Sequence, residues 1–480
     1  MDNEMLEETL LQKVGERVWG WPLMLLFIGV GLVYTIRLRG LQLQHLGSAL
    51  GYVFKREENS EKGISSYGAL CTALAATIGT GNIVGVATAL CAGGPGALLW
   101  MLVAAVFGMA TQYAEGFLAV KYRRSKADGW LGGPFYYIEQ GLGENWKWLA
   151  TIFAVIGAAV GILGVGTVTQ ANSITAAVEN FFDPNKAGIA FYLGDRSYSW
   201  ATVVSGGLVT LGAALVLLGG VKRISKVCET LVPLMSGTYI FCSLLLLVYC
   251  RREIPGAVVL IVKSAFAPKA VLGATAGISL KMALRMGIGR GVFTNEAGLG
   301  TSPIAAAAAR NDDPVRQGKV AMTATFIDTI VICSLTGLCL IVTGAWREPG
   351  LEGVQITDRA WQMALPFPGS LSSFLLMVCL CFFAFATIVG WNFYAESCLE
   401  YLTGSNPKTL KRYRFFYILA VAAGPYFTVS AAWEMADILN AIMALPNLTA
   451  LLLLQNDVVS ETFPNRNGKR DKKSTKGNIV

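Results

Sequence analysis

The sequence predicts an all-α, polytopic membrane protein with about 11 transmembrane helices. Of its 480 residues, 54% are hydrophobic and only 15% are charged, and the mean hydropathy is +0.52. Soluble proteins carry roughly 25% charged residues, and a soluble chain with this composition would expose far more apolar surface than monomers tolerate. We therefore expect lipid to surround most of the chain, which excludes soluble enzymes, disordered chains and fibrous proteins.

Eleven apolar stretches approach or exceed the ~20 residues that a spanning helix needs. They cover residues 19–36, 65–91, 96–120, 149–182, 200–218, 227–249, 271–309, 320–346, 371–402, 415–432 and 435–454. After the first stretch, ten remain in two sets of five, and an odd number of spans per set inverts the second set relative to the first. This division predicts an amino-terminal unit over 1–64, two five-helix units over 65–250 and 251–455, and a basic tail over 456–480.

The distribution of loop charge predicts the orientation in the membrane. Lys and Arg residues total 26 in the loops and tail on one side, 10 on the other side and three within the seventh span. Cytoplasmic loops are the ones that carry excess Lys and Arg. We therefore expect an inner-membrane protein with its amino terminus outside and its carboxyl tail in the cytoplasm. The tail is expected to be solvated, without a nucleic-acid partner.

The inventory of reactive residues argues against an enzyme. The chain has one histidine, His45, and ten cysteines, of which the closest pair is Cys379 and Cys381. Histidine-based catalysis and multi-histidine metal sites are therefore excluded, and no phosphate-binding G-x-x-x-x-G-K-[ST] run occurs. We expect no cofactor. A channel would need a continuous polar pore, whereas the two unusual spans described next favour an enclosed site.

Two predicted spans contain glycine and polar groups that a passive lipid anchor would not keep. The second span contains Gly79-Thr80-Gly81-Asn82, and the seventh contains Gly289 to Gly300 with Thr294-Asn295-Glu296. Glycine within a helix costs ~1 kcal/mol relative to alanine, and an acidic residue at the bilayer centre costs at least ~2.5 kcal/mol. Close helix packing explains isolated glycines, but it does not explain these contiguous polar groups.

The pattern in these two spans is typical of helices that unwind midway through the membrane. Backbone N–H and C=O groups released from a helix must find other partners. The amino-terminal end of a half-helix suits a carboxylate, because it offers free N–H donors and partial positive charge. The carbonyls that end the other half suit Na⁺ or an ammonium group. Interrupted segments in corresponding halves of a chain indicate the binding site of a transporter.

Three motifs resemble those of the sodium:alanine symporter family. They are Ile-Gly-Thr-Gly-Asn-Ile-Val-Gly over 78–85, Gly-Gly-Pro-Gly-Ala over 93–97 and Gly-Arg-Gly-Val-Phe-Thr-Asn-Glu-Ala-Gly-Leu-Gly over 289–300, with supporting matches at 132–134 and 385–387. The resemblance implies a LeuT-type fold of 5+5 inverted repeats with one extra amino-terminal helix. It also implies a monomer that imports small neutral amino acids, alanine and possibly glycine, together with Na⁺ by alternating access.

The resemblance also implies a set of site residues. Those assigned to the substrate are Thr77, Gly79, Thr80, Gly81, Gln170, Asn295, Gly298, Ile388 and Trp391. Those assigned to Na⁺ are Ala75, Ile78, Asn82, Thr294, Phe383 and Thr387, because Na⁺ prefers oxygen ligands. The family usually has a serine before this threonine, but this chain has Ala386, so one hydroxyl ligand is missing. Ile388 and Trp391 are also compatible with ordinary core or lipid-facing positions, and Gln170 with a bond to a neighbouring helix.

Two alternatives to sodium-coupled alanine uptake remain open at this point. One is a proton-coupled transporter of the same fold that uses Asp328 or Glu296, and the other is a symporter that prefers glutamine or serine. We expect Glu296 to pair with Arg290, and Asp328 to have a hydrogen-bonded partner. Glu115 and Glu396 lie toward span ends, where we expect them to form interface pairs.

Overall fold

The computed structural model describes residues 15, 18–54, 63–126, 129–185, 187–194, 196–266, 279–427 and 429–464, with side chains from residue 435 onward in the last range. The start of the predicted seventh span, up to residue 278, lies outside these residues. So do most of the amino-terminal segment and of the basic tail.

The described residues of the first half of the chain form twelve α-helices, two short hairpins and two 3-10 turns. The helices are α1 (Trp21–Arg37), α2 (Leu41–Gln44), α3 (Leu46–Phe54), α4 (Ser66–Thr77), α5 (Val84–Gly93), α6 (Gly96–Lys121), α7 (Pro134–Leu142), α8 (Lys147–Leu163), α9 (Val168–Phe182), α10 (Trp200–Leu217), α11 (Gly220–Tyr249) and α12 (Ile254–Phe266). The antiparallel hairpins are β1 (Arg124–Lys126) with β2 (Gly129–Leu131) and β3 (Ile189–Leu193) with β4 (Arg196–Ser199), and the 3-10 turns are Thr80–Asn82 and Glu144–Trp146.

Among the residues that the structure describes, the second half contains nine α-helices and one π-helical segment. The helices are α13 (Leu280–Asn295), α14 (Ser302–Ala307), α15 (Pro314–Thr325), α16 (Ser334–Thr343), α17 (Val354–Ala364), α18 (Gly369–Thr403), α19 (Pro407–Ala423), α20 (Val429–Leu453) and α21 (Gln455–Thr462). The π-helical segment Phe326–Cys333 joins α15 to α16, and 3-10 turns occupy Ala345–Arg347 and Gly424–Tyr426.

Local sequence signals explain where several helices begin. The Ser65 hydroxyl accepts the Gly68 N–H at 2.9 Å and caps α4, as polar caps satisfy the free N–H groups of a first turn. Asp313 caps α15, where Pro314 occupies the first turn and needs no N–H partner. Asn406 caps α19 in the same way, with Pro407 following it. The first of these caps fixes the start of the helix that carries Ala75 and Thr77.

Most predicted spans are confirmed, with three differences in their bounds. Among the described residues, seven helices are long and apolar enough to cross a membrane, and α4 with the segment Thr80–Gly93 forms an eighth span bent by 62°. The predicted fourth span is two helices, α8 and α9, separated at the glycines 164 and 166. The helix predicted over 415–432 starts earlier and ends at Ala423, so the last helix begins at Val429 rather than 435.

The helices pack so that α6 and α18 lie in the middle of the bundle. Helix α6 contacts α1, α13 and α15, and α18 contacts α4, α8, α9 and α11. Small residues permit close approach, since a Cβ on Gly31 of α1 would lie 2.7 Å from the Phe107 Cβ of α6. Likewise a Cβ on Gly390 of α18 would lie 2.8 Å from the Ala76 nitrogen of α4. Close packing thus holds α13 against the continuous helix α6 and α4 against the continuous helix α18.

Candidate binding site at two broken helices

The first break lies where the sequence predicts it. Helix α4 ends at Thr77, the 3-10 turn covers Thr80–Asn82, and α5 starts at Val84. The N–H groups of Thr80 and Gly81 have no hydrogen-bond partner among the described residues, and neither do the four carbonyls of residues 75–78. Because these groups are buried and lipid cannot satisfy them, the break presents a set of donors and acceptors to a bound solute.

Asn82 holds the break in its unwound shape. Its side-chain oxygen accepts the Gly79 N–H at 2.9 Å. Its amide nitrogen donates to Asp328 in the π-helical segment, at 2.8 Å to the carboxylate and 3.2 Å to the carbonyl. The Thr329 hydroxyl donates to the other carboxylate oxygen at 2.7 Å. The hydrogen-bonded partner expected for Asp328 is therefore found, and it is one of the predicted Na⁺ ligands.

Three predicted side chains surround the first break. A Cβ built on Gly79 would lie 2.6 Å from the Thr387 hydroxyl and 3.7 Å from the side-chain oxygen of Gln170. A Cβ on Gly81 would lie 3.1 Å from the Thr294 hydroxyl. The Thr80 hydroxyl and the Gln170 side-chain oxygen are buried without a hydrogen-bond partner among the described residues. Unsatisfied oxygen atoms and N–H groups are thus brought together by the half-helices α4 and α5 and by three further helices, α9, α13 and α18.

The second break lies a few residues later than the glycines of Gly289-Arg290-Gly291. Helix α13 continues through them to Asn295, and α14 begins at Ser302. Between the two helices the backbone takes positive φ at Glu296 (56°), Gly298 (89°) and Gly300 (84°). A positive φ is uncommon for a residue with a Cβ, so Glu296 is held there by its surroundings.

The expected pairing of Glu296 with Arg290 is wrong. The Glu296 carboxylate accepts the Thr301 hydroxyl at 2.6 Å and the Trp391 indole N–H at 3.0 Å. Arg290 instead lies 3.6 Å from the Asp437 carboxylate of α20. The reason is geometric, because Arg290 is on the helical part of the segment whereas Glu296 lies past its end. Glu296 joins the two sides of the break and attaches them to α18.

Glu115 of α6 supports the second break, a role that the sequence analysis missed. Its Oε1 accepts the Gly300 N–H at 3.1 Å and the Asn447 amide at 2.6 Å, and Asn447 also donates to the Gly298 carbonyl at 2.9 Å. Glu115 is fully buried and has no ion pair among the described residues, so the interface pair expected for it is not found. Its position inside a span was the signal that could have identified it.

Glu396 does form the expected pair, with two bonds from Arg414 at 2.6 and 2.7 Å.

The other predicted site residues are buried, but several are occupied by protein contacts. The Asn295 side chain accepts the Ala297 N–H at 3.0 Å and donates to the Thr329 hydroxyl at 3.2 Å. Gly298 lies away from the first break, because a Cβ there would meet Leu448 and Phe27 at 2.9 and 3.0 Å. The Ile388 carbonyl accepts the Tyr417 hydroxyl at 2.7 Å.

The predicted Na⁺ ligands on α18 adjoin the first break. The Thr387 hydroxyl donates to the Phe383 carbonyl at 3.1 Å, so its lone pairs remain available for a cation. Ala386, the position where the family usually has serine, is buried beside it. The surrounding oxygen atoms fit a hard cation such as Na⁺.

A cavity of about 830 Å³ lies beside the start of α5, just past the first break. Its lining includes Val84 and Gly85 at the start of α5, Asn172 of α9, Arg290 of α13 and the loop over 350–353. Ligand pockets of small molecules usually measure ~300–1,000 Å³. This cavity therefore has room for a small solute next to the half-helix that follows the first break.

Two helices of one bundle that unwind within the membrane, next to a cavity that reaches one surface, define a secondary transporter. The fold agrees: the structure is similar to that of MhsT solved in complex with L-phenylalanine, with a TM-score of 0.59 and 15% identity, covering 86% of this chain and 95% of that one. The chain therefore has a LeuT-type fold.

Sequence comparison identifies the family. The model of the sodium:alanine symporter family matches residues 3–478. The chain is 42% identical to the sodium/alanine symporter AgcS of Methanococcus maripaludis, covering 95% of this chain and 96% of the relative. It is 32% identical to the probable sodium/glutamine symporter GlnT of Bacillus subtilis, covering 95% and 90%. The chain belongs to the sodium:alanine symporter family, whose members are membrane transporters and not enzymes.

Proposed function

We propose that this protein imports a small neutral amino acid, alanine in the first place, together with Na⁺ by alternating access. The observation that carries the proposal is the first break. Its unpartnered N–H groups at Thr80 and Gly81 can receive a carboxylate, in the way that helix amino-terminal ends bind anions. The names of the two relatives, a sodium/alanine symporter and a probable sodium/glutamine symporter, support the same class of substrate.

Close packing around the site favours a small substrate. A Cβ on Gly79 would lie 2.6 Å from the Thr387 hydroxyl, and a Cβ on Gly166 would lie 2.6 Å from the Trp391 Cβ. Ile388 and Trp391 are fully buried, so they form part of the core around the break rather than a lipid-facing surface. A large side chain on the substrate would need these elements to separate.

The cation belongs between α4 and α18 in this proposal. The carbonyls of Ala75 and Ile78 accept no hydrogen bond among the described residues, and Thr387 lies against the adjoining Gly79. Thr294 approaches Gly81 from α13 and provides a second hydroxyl. A cation bound to these oxygens stabilises the unwound backbone and thereby couples its own binding to that of the amino acid.

Uptake into proteoliposomes tests the proposal. Labelled L-alanine should accumulate when an inward Na⁺ gradient is imposed and should not accumulate when choline replaces Na⁺. A panel of unlabelled glycine, serine, glutamine and D-alanine then ranks the substrates by competition. Undiminished uptake in choline would contradict Na⁺ coupling, and competition by glutamine alone would contradict the preference for a small side chain.

A further inference from the structure

Three carboxylates are fully buried around the two breaks without an ion pair among the described residues. They belong to Glu115, Glu296 and Asp328. A buried charge without a partner is unfavourable, and such groups are usually ionised only when they are well hydrogen-bonded or accompanied by a cation. The hydrogen bonds around each carboxylate therefore indicate its protonation state.

Glu115 differs from the other two in how its oxygens are used. In Glu296 each oxygen accepts one hydrogen bond, from Trp391 and from Thr301. In Asp328 each oxygen also accepts a bond, from Asn82 and from Thr329. In Glu115 both donors converge on Oε1, whereas Oε2 is buried without a partner among the described residues.

This asymmetry is the pattern of a neutral carboxylic acid. A protonated carboxyl has one carbonyl-like oxygen that accepts hydrogen bonds and one hydroxyl oxygen that carries the proton. Oε1 of Glu115 fits the first role, and Oε2, which accepts no hydrogen bond from the described residues, is the oxygen on which a proton can sit. The ionisable groups that face Glu115 are Glu296 of the second break and the hydroxyls of Tyr34, Tyr137 and Tyr394, with no Lys or Arg among the described residues.

We propose that Glu115 is a proton-binding site whose proton is held on Oε2 in the state that the structure shows and is exchanged as the second break moves. The Gly300 N–H that donates to it belongs to the second break, and Asn447 also donates to the Gly298 carbonyl of that break. Movement of residues 296–301 therefore changes the environment of the carboxyl group. Release breaks the Oε2–H bond, leaves the electron pair on the carboxylate and transfers the proton to water. The proton affects the rate of the amino-acid transport proposed above, on which this inference rests.

Infrared spectroscopy of the purified protein tests the proton directly, without any substrate. Wild-type protein should show a C=O stretching band of a buried protonated carboxyl group, and Glu115→Gln should lack that band. Glu461→Gln, at a partly exposed carboxylate of α21 paired with Lys121, is the matched control and should keep it. If Glu115→Gln does not fold, Glu115→Asp retains the carboxyl group and should shift the band. A band that is unchanged in Glu115→Gln, or no such band in wild-type protein, overturns the proposal.

The pH profile of uptake tests the link to transport. Between about pH 5 and 9, Na⁺-driven uptake by wild-type protein should vary severalfold, and Glu115→Gln should flatten that profile while Glu461→Gln retains it. If Glu115→Gln instead changes only the Na⁺ concentration for half-maximal uptake, the site binds Na⁺ and the proton proposal is wrong. Absence of any Na⁺-driven uptake in wild-type protein would contradict the proposed function. The infrared result would still decide whether Glu115 carries a proton.

Discussion

Gly79 has no room for a side chain in the first break. A Cβ at this position would lie 2.6 Å from the Thr387 hydroxyl, closer than non-bonded atoms approach, and overpacking of this kind costs ~1–3 kcal/mol. Gly79→Ala should therefore push α4 and α18 apart and reduce alanine uptake by more than about tenfold, since ~1.4 kcal/mol corresponds to tenfold in binding. Initial uptake rates, normalised to the amount of protein in the vesicles, measure the effect.

The matched control for that substitution is a glycine in open space. A Cβ on Gly29 of α1 would meet no atom within 4 Å, so Gly29→Ala should leave uptake at the wild-type level. Equal losses in Gly79→Ala and Gly29→Ala would show that the effect comes from changed expression or helix stability and not from the break.

The Thr387 hydroxyl is the side-chain ligand that the proposed Na⁺ site depends on. Because Ala386 supplies no second hydroxyl, Thr387→Ala removes the hydroxyl oxygen that this part of α18 offers. The Na⁺ concentration for half-maximal uptake should rise roughly tenfold, or ~1.4 kcal/mol in binding, and Thr387→Ser should restore it. An unchanged Na⁺ dependence in Thr387→Ala would remove this residue from the site.

At the scale of residues, sequence reasoning identified the unusual groups but not their partners. The sequence indicates that Glu296 needs a partner and favours Arg290, six residues away. In the structure the partner is Trp391 of α18. Asn447 binds Glu115 across 332 positions of the chain. Such contacts depend on how distant helices pack, and no local pattern of residues records that.

At the scale of elements, the position of each break was predictable to different degrees. The first break falls on Gly79 to Asn82 because the side chain of Asn82 itself replaces the missing helical bond to Gly79. The second falls after Asn295 and includes Gly298, which the sequence marks as the unwound turn, whereas the glycines 289 and 291 lie within α13. Gly291 serves close packing, since a Cβ on it would lie 3.2 Å from Met101 of α6.

The ends of the two broken spans are joined at one side of the bundle. The Ile64 N–H donates to the Ala308 carbonyl at 3.0 Å, and the Arg310 N–H donates to the Ile64 carbonyl at 2.8 Å. Arg123 reinforces this junction, because its guanidinium donates to the carbonyls of Ala307 and Asn311, each at 3.0 Å, and pairs with Asp312. The segment before α4 and the segment after α14 are thereby held together, and opening of this side must separate them.

Loss of the Arg123 guanidinium should loosen that junction. Its side chain is only 4% exposed, and each buried charged hydrogen bond is worth ~1.5–3 kcal/mol. Arg123→Gln should therefore increase backbone hydrogen exchange at residues 63–66 and 302–310 by about tenfold or more, as measured by mass spectrometry. Arg124→Gln, next in the chain but 55% exposed, is the control and should leave exchange there unchanged. Unaltered exchange in Arg123→Gln would show that the backbone bonds alone hold the junction.

At the scale of the whole molecule, the sequence predicted the class of fold well because lipid imposes simple requirements. Apolar length located nearly all spans, and only their ends depended on tertiary packing. The predicted boundary between the last two spans is misplaced because the apolar pattern continues through Gly424–Tyr426. In the structure, a 3-10 turn containing Pro425 separates α19 from α20 at these residues. Hydropathy records burial in lipid, but it does not record where a chain turns.

The orientation that the loop charges predict can be tested with a native cysteine. Of the ten cysteines, Cys91 is exposed, and it lines the 830 Å³ cavity, at the end opposite the loops that carry the excess of Lys and Arg. With the basic loops in the cytoplasm, a membrane-impermeant maleimide added to intact cells should label wild-type protein and not Cys91→Ser. In the Cys91→Ser background, Lys408→Cys, in the basic segment that starts α19, should be labelled only after the membrane is permeabilised. The reverse pattern would place the cavity in the cytoplasm, and the cavity would then be an exit for the amino acid rather than its entrance.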